Sequence, residues 1–404
     1  MNIQPFAALR PQPTLAAQVA APPYDVLNST EAKNYAKGNP YSFLQVTKSE
    51  IDLPSNIDVH SQEVYNKANE NLQKLIANNT LIQEEKPCYY IYQLTMQGRS
   101  QTGLVCVSSI QDYHNGTIKK HEYTRPEKEQ DRIQHMLTIN AQTGNVFLAC
   151  NDVPSLNNLI NTIKQNAPLY NFETTAKVGH KVWIVNTDND IATITAIVTT
   201  QVPCTYIADG HHRAASAAKV SASKPYSKAA QYFLTTIFPA SELAILDYNR
   251  VVKDLNGLSV KDFLNKIEPN FTVTPSATPV KPTQVNQFGM YIAGHWYTLT
   301  ALPNTATTNP VGLLDVSLLQ HYIIDKVLGI TDVRTDNRID FVGGIRGMQA
   351  LIDKVNNGEA AVAFSLYPVS IQQLFTIADS GAVMPPKSTW FEPKLADGLL
   401  THLL

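Results

Sequence analysis

The stretch Tyr206-Ile207-Ala208-Asp209-Gly210-His211-His212-Arg213-Ala214-Ala215-Ser216 constrains this chain more than any other. Apolar residues end a strand, Asp-Gly supplies a tight turn, and an Ala-rich helix running to Ser223 follows at once. A chain that passes from strand to helix within two residues places the first helical N–H groups, and the positive end of the helix dipole, at the strand's end. Such a turn is an anion site built from backbone. Gly210 lets an oxyanion approach closely. Arg213 adds a planar fork matched to phosphate or carboxylate. His211 and His212 add groups that exchange protons near neutral pH. The plainer alternative is an Asp209 that only caps the helix. Adjacent histidines on a helix point about 100° apart and seldom bind one metal.

Charge is scarce elsewhere, which gives this cluster its weight. The chain has 32 basic and 34 acidic residues, 16% of 404, against about 25% in an average globular protein. A net charge of −2 excludes a protein held to nucleic acid mainly by long-range electrostatics, and leaves room for a local basic pocket. The expected partner is a small anionic metabolite or a nucleotide, not a nucleic acid and not a membrane. With 44% apolar residues the chain can bury a large core. Its apolar runs are far shorter than the ~20 residues that span a bilayer. The start, MNIQPFAALRPQP, shows no basic region followed by an apolar one, so a cytoplasmic location is expected. Cys88, Cys106, Cys150 and Cys204 lie far apart with no CxxC pair, and are read as buried or reduced thiols.

Periodicity predicts a mixture of elements. Residues 60–78 read as a helix, with Tyr65, Ala68, Leu72 and Leu75 on one face. Residues 88–95 and 103–113 form a hairpin across the turn Gln97-Gly98-Arg99-Ser100, and 289–293 and 296–302 form a second. Helices are expected at 127–137, 152–170, 214–223, 313–327 and 370–377. Strands are expected at 146–150, 180–185 and 243–252, and 191–200 has β composition after a turn at 187–190. Residues 1–55 read as irregular or extended, and the Pro/Thr-rich 274–284 as a connection. No regular βαβ order and no repeat of about 20–50 residues is visible. The fold class is therefore α+β: mixed sheets with hairpins and packed helices, in two lobes. An N-terminal lobe over 1–240 carries the DGHHR turn, and a C-terminal lobe over 241–404 carries Met384–Lys394. The two lobes sharing one site is as consistent with the sequence as two independent domains.

Three further clusters stand out. Lys119 to Arg132 is the densest charge run. Its second half suits a solvated helical face, but in His121-Glu122 a carboxylate beside a histidine can serve as a general base. Asp332, Arg334, Asp336, Arg338 and Asp340 recur at spacing two and, if extended, form a salt-bridge ladder on one face. In Met384-Pro385-Pro386-Lys387-Ser388-Thr389-Trp390-Phe391-Glu392-Pro393-Lys394 prolines fix a loop that carries two lysines. Ala21-Pro22-Pro23-Tyr24-Asp25 is equally stiff and ends on an acid.

Pro5 to Pro11, Ala21 to Val26, the 206–213 turn, Tyr248-Asn249-Arg250, the 332–344 run and the 384–395 loop together resemble the bacterial and archaeal DUF 1015 family, over nearly the whole chain. That family has no assigned function. The six residues Ala208 to Arg213 are also similar to the Gly-Gly-Cys-His-Arg turn of sulfiredoxins and to ParB-type nucleotide-binding folds, a superfamily that includes free-serine kinases. This resemblance implies a ParB/sulfiredoxin-like core in which Gly210, His212 and Arg213 contact nucleotide phosphates. His211 stands where sulfiredoxin has its nucleophilic cysteine, which rules out thiol redox chemistry at that position.

The resulting expectation is a phosphoryl-transfer enzyme acting on a small metabolite, with serine or phosphoserine preferred and the kinase or phosphatase direction open. Glu122, Asp209, His211 and His121 are the candidate catalytic residues, with Glu122 or Asp209 acting as base or holding Mg²⁺. Gly210, His212, Arg213, Lys387, Ser388 and Lys394 are the candidate ligand-binding residues. The cofactor expected is ATP or ADP with Mg²⁺, and no haem, flavin or iron–sulfur cluster. Two rival readings are a nucleotide-sensing protein without turnover and a metal-dependent hydrolase built on His121, Glu122, His211 and His212.

Overall fold

The structure is a computed structural model that describes residues 1–305 and 307–404. Strands and helices are intermixed without a βαβ rhythm, and the fold class is α+β. The chain divides into two compact units, Met1–Leu243 with Pro393–Leu404, and Ala244–Glu392. This division differs from a single cut at 240/241 in that Pro393–Leu404 return to the first unit. There His402–Leu403 pair with Ala141–Gln142, and Asp397 and Thr401 bridge to Ala21 and Leu9.

The first unit is built on a mixed nine-stranded sheet. Its strands are β1 (Ile3–Gln4), β2 (Tyr89–Met96), β3 (Arg99–Ser109), β4 (Ile118–Lys119), β5 (Val146–Cys150), β6 (Tyr170–Glu173), β7 (Val178–Val185), β8 (Thr205–Asp209) and β9 (Tyr232–Pro239). They lie in the order β4-β8-β5-β9-β3-β2-β7-β6, with β1 against β3. The β4–β8 and β5–β9 pairs are parallel. The β2–β3 hairpin turns at Gln97 and Gly98, both at positive φ, the geometry a two-residue hairpin loop requires.

Four helices of this unit matter for the site: α1 (Gln62–Ala77), α2 (Pro126–Ile139), α3 (Asp188–Gln201) and α4 (His211–Ser223). The alanines 214, 215, 217 and 218 of α4 are buried in the core with Ile207, Leu148 and Phe233. Small side chains let this helix lie close to the sheet that feeds it. On its other side α4 packs against α2, which packs against α1.

Two local expectations are corrected. Residues 191–200 are not a strand but the body of α3. The Thr187 side chain accepts from the Asp190 N–H and starts a helix, and Ile194 and Val198, four apart, are fully buried. Thr193, Thr195 and Thr200 return their hydroxyls to carbonyls four residues back, so β-branched composition is absorbed without a sheet. The Asp332–Asp340 ladder also fails to form. The Asp332 and Asp336 carboxylates accept from the backbone N–H and the guanidinium of the arginine two residues later. Each Asp-x-Arg closes its own turn, and only Ile339–Gly343 is strand.

The second unit carries a six-stranded antiparallel sheet of β10 (Tyr248–Val252), β11 (Phe271–Ser276), β12 (Gln287–Ile292), β13 (His295–Ala301), β14 (Ile339–Gly343) and β15 (Val362–Leu366), ordered β11-β13-β12-β15-β10-β14. The β12–β13 hairpin expected over 289–302 forms, with its turn at Ala293-Gly294. The Pro/Thr-rich segment proves to be partly strand: β11 is an edge, where Pro275 costs no central ladder bond. Among the described residues no helix is long and apolar enough to cross a membrane.

Candidate functional site

β8 shifts register between Ile207 and Asp209 where it pairs with β5. A bulge of this kind re-aims the residue that follows it, here Asp209. Gly210 then takes φ +94° and opens α4 with no side-chain cap. A Cβ at 210 would stand 3.3 Å from the Val146 Cα, so the turn needs glycine for conformation and for space. The helix therefore starts with N–H groups that no side-chain cap takes up.

Asp209 faces Lys394. One carboxylate oxygen accepts from the Gly210 N–H at 2.8 Å and the other from Lys394 Nζ at 2.8 Å. Burial alone would raise the Asp209 pKa, but the charges of Lys394 and Arg213 outweigh it and hold the carboxyl well below the usual range. Asp209 is thus a fixed anion paired with a lysine brought in by the C-terminal segment.

Arg213, one turn into α4, is only 8% exposed. Its Nη1 donates to the Asn145 carbonyl at 2.8 Å and its Nη2 to Asp25 at 3.1 Å. Its Nε is buried with no hydrogen-bond partner. Two guanidinium groups lie over the Tyr24 ring, that of Arg132 at 4.0 Å from its centre and that of Arg213 at 5.4 Å. Asp131 pairs with Arg132 and accepts from Tyr65 and His60. Asp397, 3% exposed, has one oxygen without a partner. Burial, reinforced by Asp25, pushes its pKa up to about 7 against the pull of Arg213. A cavity of about 30 Å³ beside this group is lined by Tyr24, Arg132, Thr143, Gly144 and Arg213 among others. That volume suits one or two waters, not a nucleotide.

The histidines play a part that spacing did not reveal. The His121 backbone N–H points at His211 Nε2 at 3.5 Å, and the Arg125 N–H donates to His212 Nε2 at 3.0 Å. Both rings therefore offer lone pairs to the backbone of 121–125, the connection between β4 and α2. Burial lowers the pKa of each, and repulsion by His121 for His211 and by Arg125 for His212 lowers it further, so both are neutral at pH 7. His121 and His211 stack edge to face, 4.6 Å between ring centres. Burial takes His121 down to about 4, and its Nδ1 has no partner. Glu122 lies 3.8 Å from His211 Nδ1, and its side chain is 39% exposed.

Of the sequence candidates, Glu122, Asp209, Gly210, His121, His211, His212, Arg213 and Lys394 gather in the first unit. Lys387 and Ser388 belong to the second. There the Lys387 carbonyl accepts from Arg250 at 3.0 Å and its amine lies 5.6 Å from the Tyr248 ring, while the Ser388 hydroxyl donates to the Pro385 carbonyl. Tyr24, Asp25, Arg132 and Asp397 were not among the candidates. The stiff Pro22-Pro23-Tyr24-Asp25 run was a signal for the first two. Nothing local marks Asp397.

The family model described as "Protein of unknown function (DUF1015)" matches residues 3–317. The chain belongs to this family. No curated protein matches the DUF1015 chain. Among solved structures it is similar to a free serine kinase in complex with AMP, at 10% identity over 73% of this chain and 92% of that one, with a TM-score of 0.37. It is similar to a conserved hypothetical protein from Pyrococcus furiosus, at 13% identity over 73% and 94%, with a TM-score of 0.37. It is also similar to SbnI with a C-terminal truncation from Staphylococcus aureus, at 8% identity over 74% and 87%, with a TM-score of 0.41. Likeness at this level carries no argument about activity.

Proposed function

We propose that this DUF1015 protein transfers a phosphoryl group between a nucleotide and the hydroxyl of a small metabolite, serine or phosphoserine being the preferred substrate, in a cytoplasmic setting. The observation that carries the reading is the uncapped, glycine-opened start of α4 set beside the Asp209–Lys394 pair. Backbone N–H groups and a lysine then converge where phosphate oxygens gain charge. The choice of serine comes from the resemblance of the 208–213 turn to that of free-serine kinases.

Asp209, its pKa depressed, is a poor base and serves to orient Lys394. Arg213 spends both terminal nitrogens on Asn145 and Asp25, so it holds the turn in place rather than gripping phosphate with a free fork. Glu122, half exposed, is the base. In the kinase direction the substrate hydroxyl gives its proton to Glu122. Its oxygen bonds to the terminal phosphorus, and the bond from that phosphorus to the nucleotide's bridging oxygen breaks, the leaving phosphate keeping the electron pair. Magnesium arriving with a nucleotide takes most of its ligands from phosphates and water. Among the described residues no group of three or more His, Cys, Asp or Glu is placed to hold a metal. The hydrolase reading is disfavoured because the Nε2 lone pairs of His211 and His212 already face backbone donors.

The engagement of both histidines also keeps the rival reading in play, a nucleotide sensor without turnover. Phosphorus NMR separates the two. Full-length protein is incubated with ATP or ADP, Mg²⁺ and serine, and separately with phosphoserine. The proposal expects transfer that falls at least tenfold in Glu122→Gln with nucleotide affinity retained. Tight nucleotide binding with no transfer in any combination favours the sensor.

A further inference from the structure

Residues 120–125 form no regular element, yet both ends of this loop are fastened to the first turn of α4. His121 is held by His211 and Arg125 by His212, and Thr124 donates to Glu129 inside α2. Ordering a loop costs conformational entropy, and here two histidine side chains are committed to it. Between the anchors stand Glu122 and Tyr123. Tyr123 is 74% exposed, and Tyr226 still more fully so, while Tyr89, Tyr90, Tyr92 and Tyr170 of the same unit are almost wholly buried. A lone exposed aromatic is ordinary. This one is two residues from each of two anchors on the helix start, and two residues span at most about 7 Å. The backbone that carries this ring is therefore tied from both sides to the first turn of α4.

The helix start has independent support as a ligand site. Arg213 Nε, in the first turn of α4, and His121 Nδ1, on a ring 4.6 Å from that of His211, are buried polar atoms with no hydrogen-bond partner. An anion site at the turn, together with an exposed ring on the loop tied to it, suits a ligand with a flat base at one end and phosphates at the other.

We propose that Tyr123 is the stacking platform for the base of a nucleoside phosphate whose phosphates lie on the start of α4, and that it separates nucleotides from bare phosphates. This rests on the nucleotide-dependent reading above and adds a specificity residue to it. Stacking on an aromatic accepts any base because every base offers a π face, so the preference is for nucleotides as a class.

Calorimetric titration of the full-length chain tests it, with ADP and inorganic pyrophosphate as probes and with wild type, Tyr123→Ala and Tyr123→Phe. Tyr123→Ala is expected to weaken ADP about tenfold or more and to leave pyrophosphate within about twofold, whereas Tyr123→Phe, which keeps the ring, retains ADP. Unchanged ADP affinity in Tyr123→Ala overturns the stacking role while the anion site stands. Equal weakening of both probes also overturns it, since the residue would then act only through the loop. If neither probe binds wild type, the nucleotide reading falls and this inference with it.

Discussion

An alanine at position 210 would have to hold φ +94° and stand 3.3 Å from Val146 Cα. The left-handed conformation alone costs roughly 1–2 kcal/mol for a residue with a Cβ. Gly210→Ala is therefore expected to lower unfolding stability by about that amount in urea titration and to weaken pyrophosphate binding further by moving the start of α4. Asp397 makes a prediction of opposite character. Its folded pKa of about 7 lies above the ~3.9 of an unfolded aspartate, so the folded state keeps a proton that the unfolded state gives up. The stability it contributes is whole below about pH 4 and is lost as pH rises through 7. Asp397→Asn removes this titration while leaving an oxygen for the Tyr24 N–H. Between pH 5 and 8 the variant should lose about 2 kcal/mol less stability than wild type, and a parallel loss in both would show that Asp397 does not carry the proton. Neither residue was equally open to inspection. Gly210 announces itself through Asp-Gly before an Ala-rich run. Asp397 acquires its meaning only from partners such as Arg213 and Asp25, which lie far away in sequence.

The loop and the helix start behave as one element. If His212 holds Arg125, then His212→Ala frees the Arg125 amide, and hydrogen exchange there should speed by about tenfold or more, the price of one lost hydrogen bond of about 1–1.5 kcal/mol. The amides of β8 should keep their protection. Uniformly faster exchange across β8 and α4 would mean that the histidine supports the fold and not the loop. Elements of this kind also mark where sequence reasoning holds. The two hairpins are legible because runs of strand-forming residues face each other across short breaks, a local signal; the structure tightens the turns to Gln97-Gly98 and Ala293-Gly294, with positive φ at both residues of each. α3 was missed because its isoleucines, valines and threonines carry β composition, while the Thr187 cap and the buried Ile194/Val198 pair decide for helix. The 332–340 run was misread because aspartate bonds its own neighbourhood more readily than a strand partner. The histidine pair was noticed, but its engagement with the loop was not, because that depends on how β4 and β8 lie side by side.

Across the whole molecule, buried neutral histidines set the response to acid. Burial lowers His121, His135 and His180 to about 4, against about 6.5 unfolded. The unfolded chain thus binds protons first as pH falls. The stability from these groups is whole above pH 6.5 and is lost between 6.5 and 4, up to about 3 kcal/mol for each. Calorimetric melting from pH 7 to 4.5 should show a steep fall in Tm, and replacing His180 by Gln should flatten it; a Tm constant over that range would contradict the burial of all three. The overall charge of −2 conceals how the few charges are placed. In the first unit Asp25, Asp131, Asp209 and Asp397 meet Arg132, Arg213 and Lys394 around one strand-to-helix turn. The turn was readable from eleven consecutive residues, whereas the counter-charges come from the N-terminal segment, α2 and the C-terminal return, which only the fold assembles.

The central claim is that the start of α4, with Lys394 beside it, binds phosphate. Titration of pyrophosphate into the full-length protein tests it directly, with wild type and Lys394→Ala compared at two salt concentrations. The account predicts binding by wild type that weakens with salt and an affinity lower by about tenfold or more in Lys394→Ala, the loss of one charge-assisted contact. Equal affinity in the two proteins, or no binding by wild type, would contradict it.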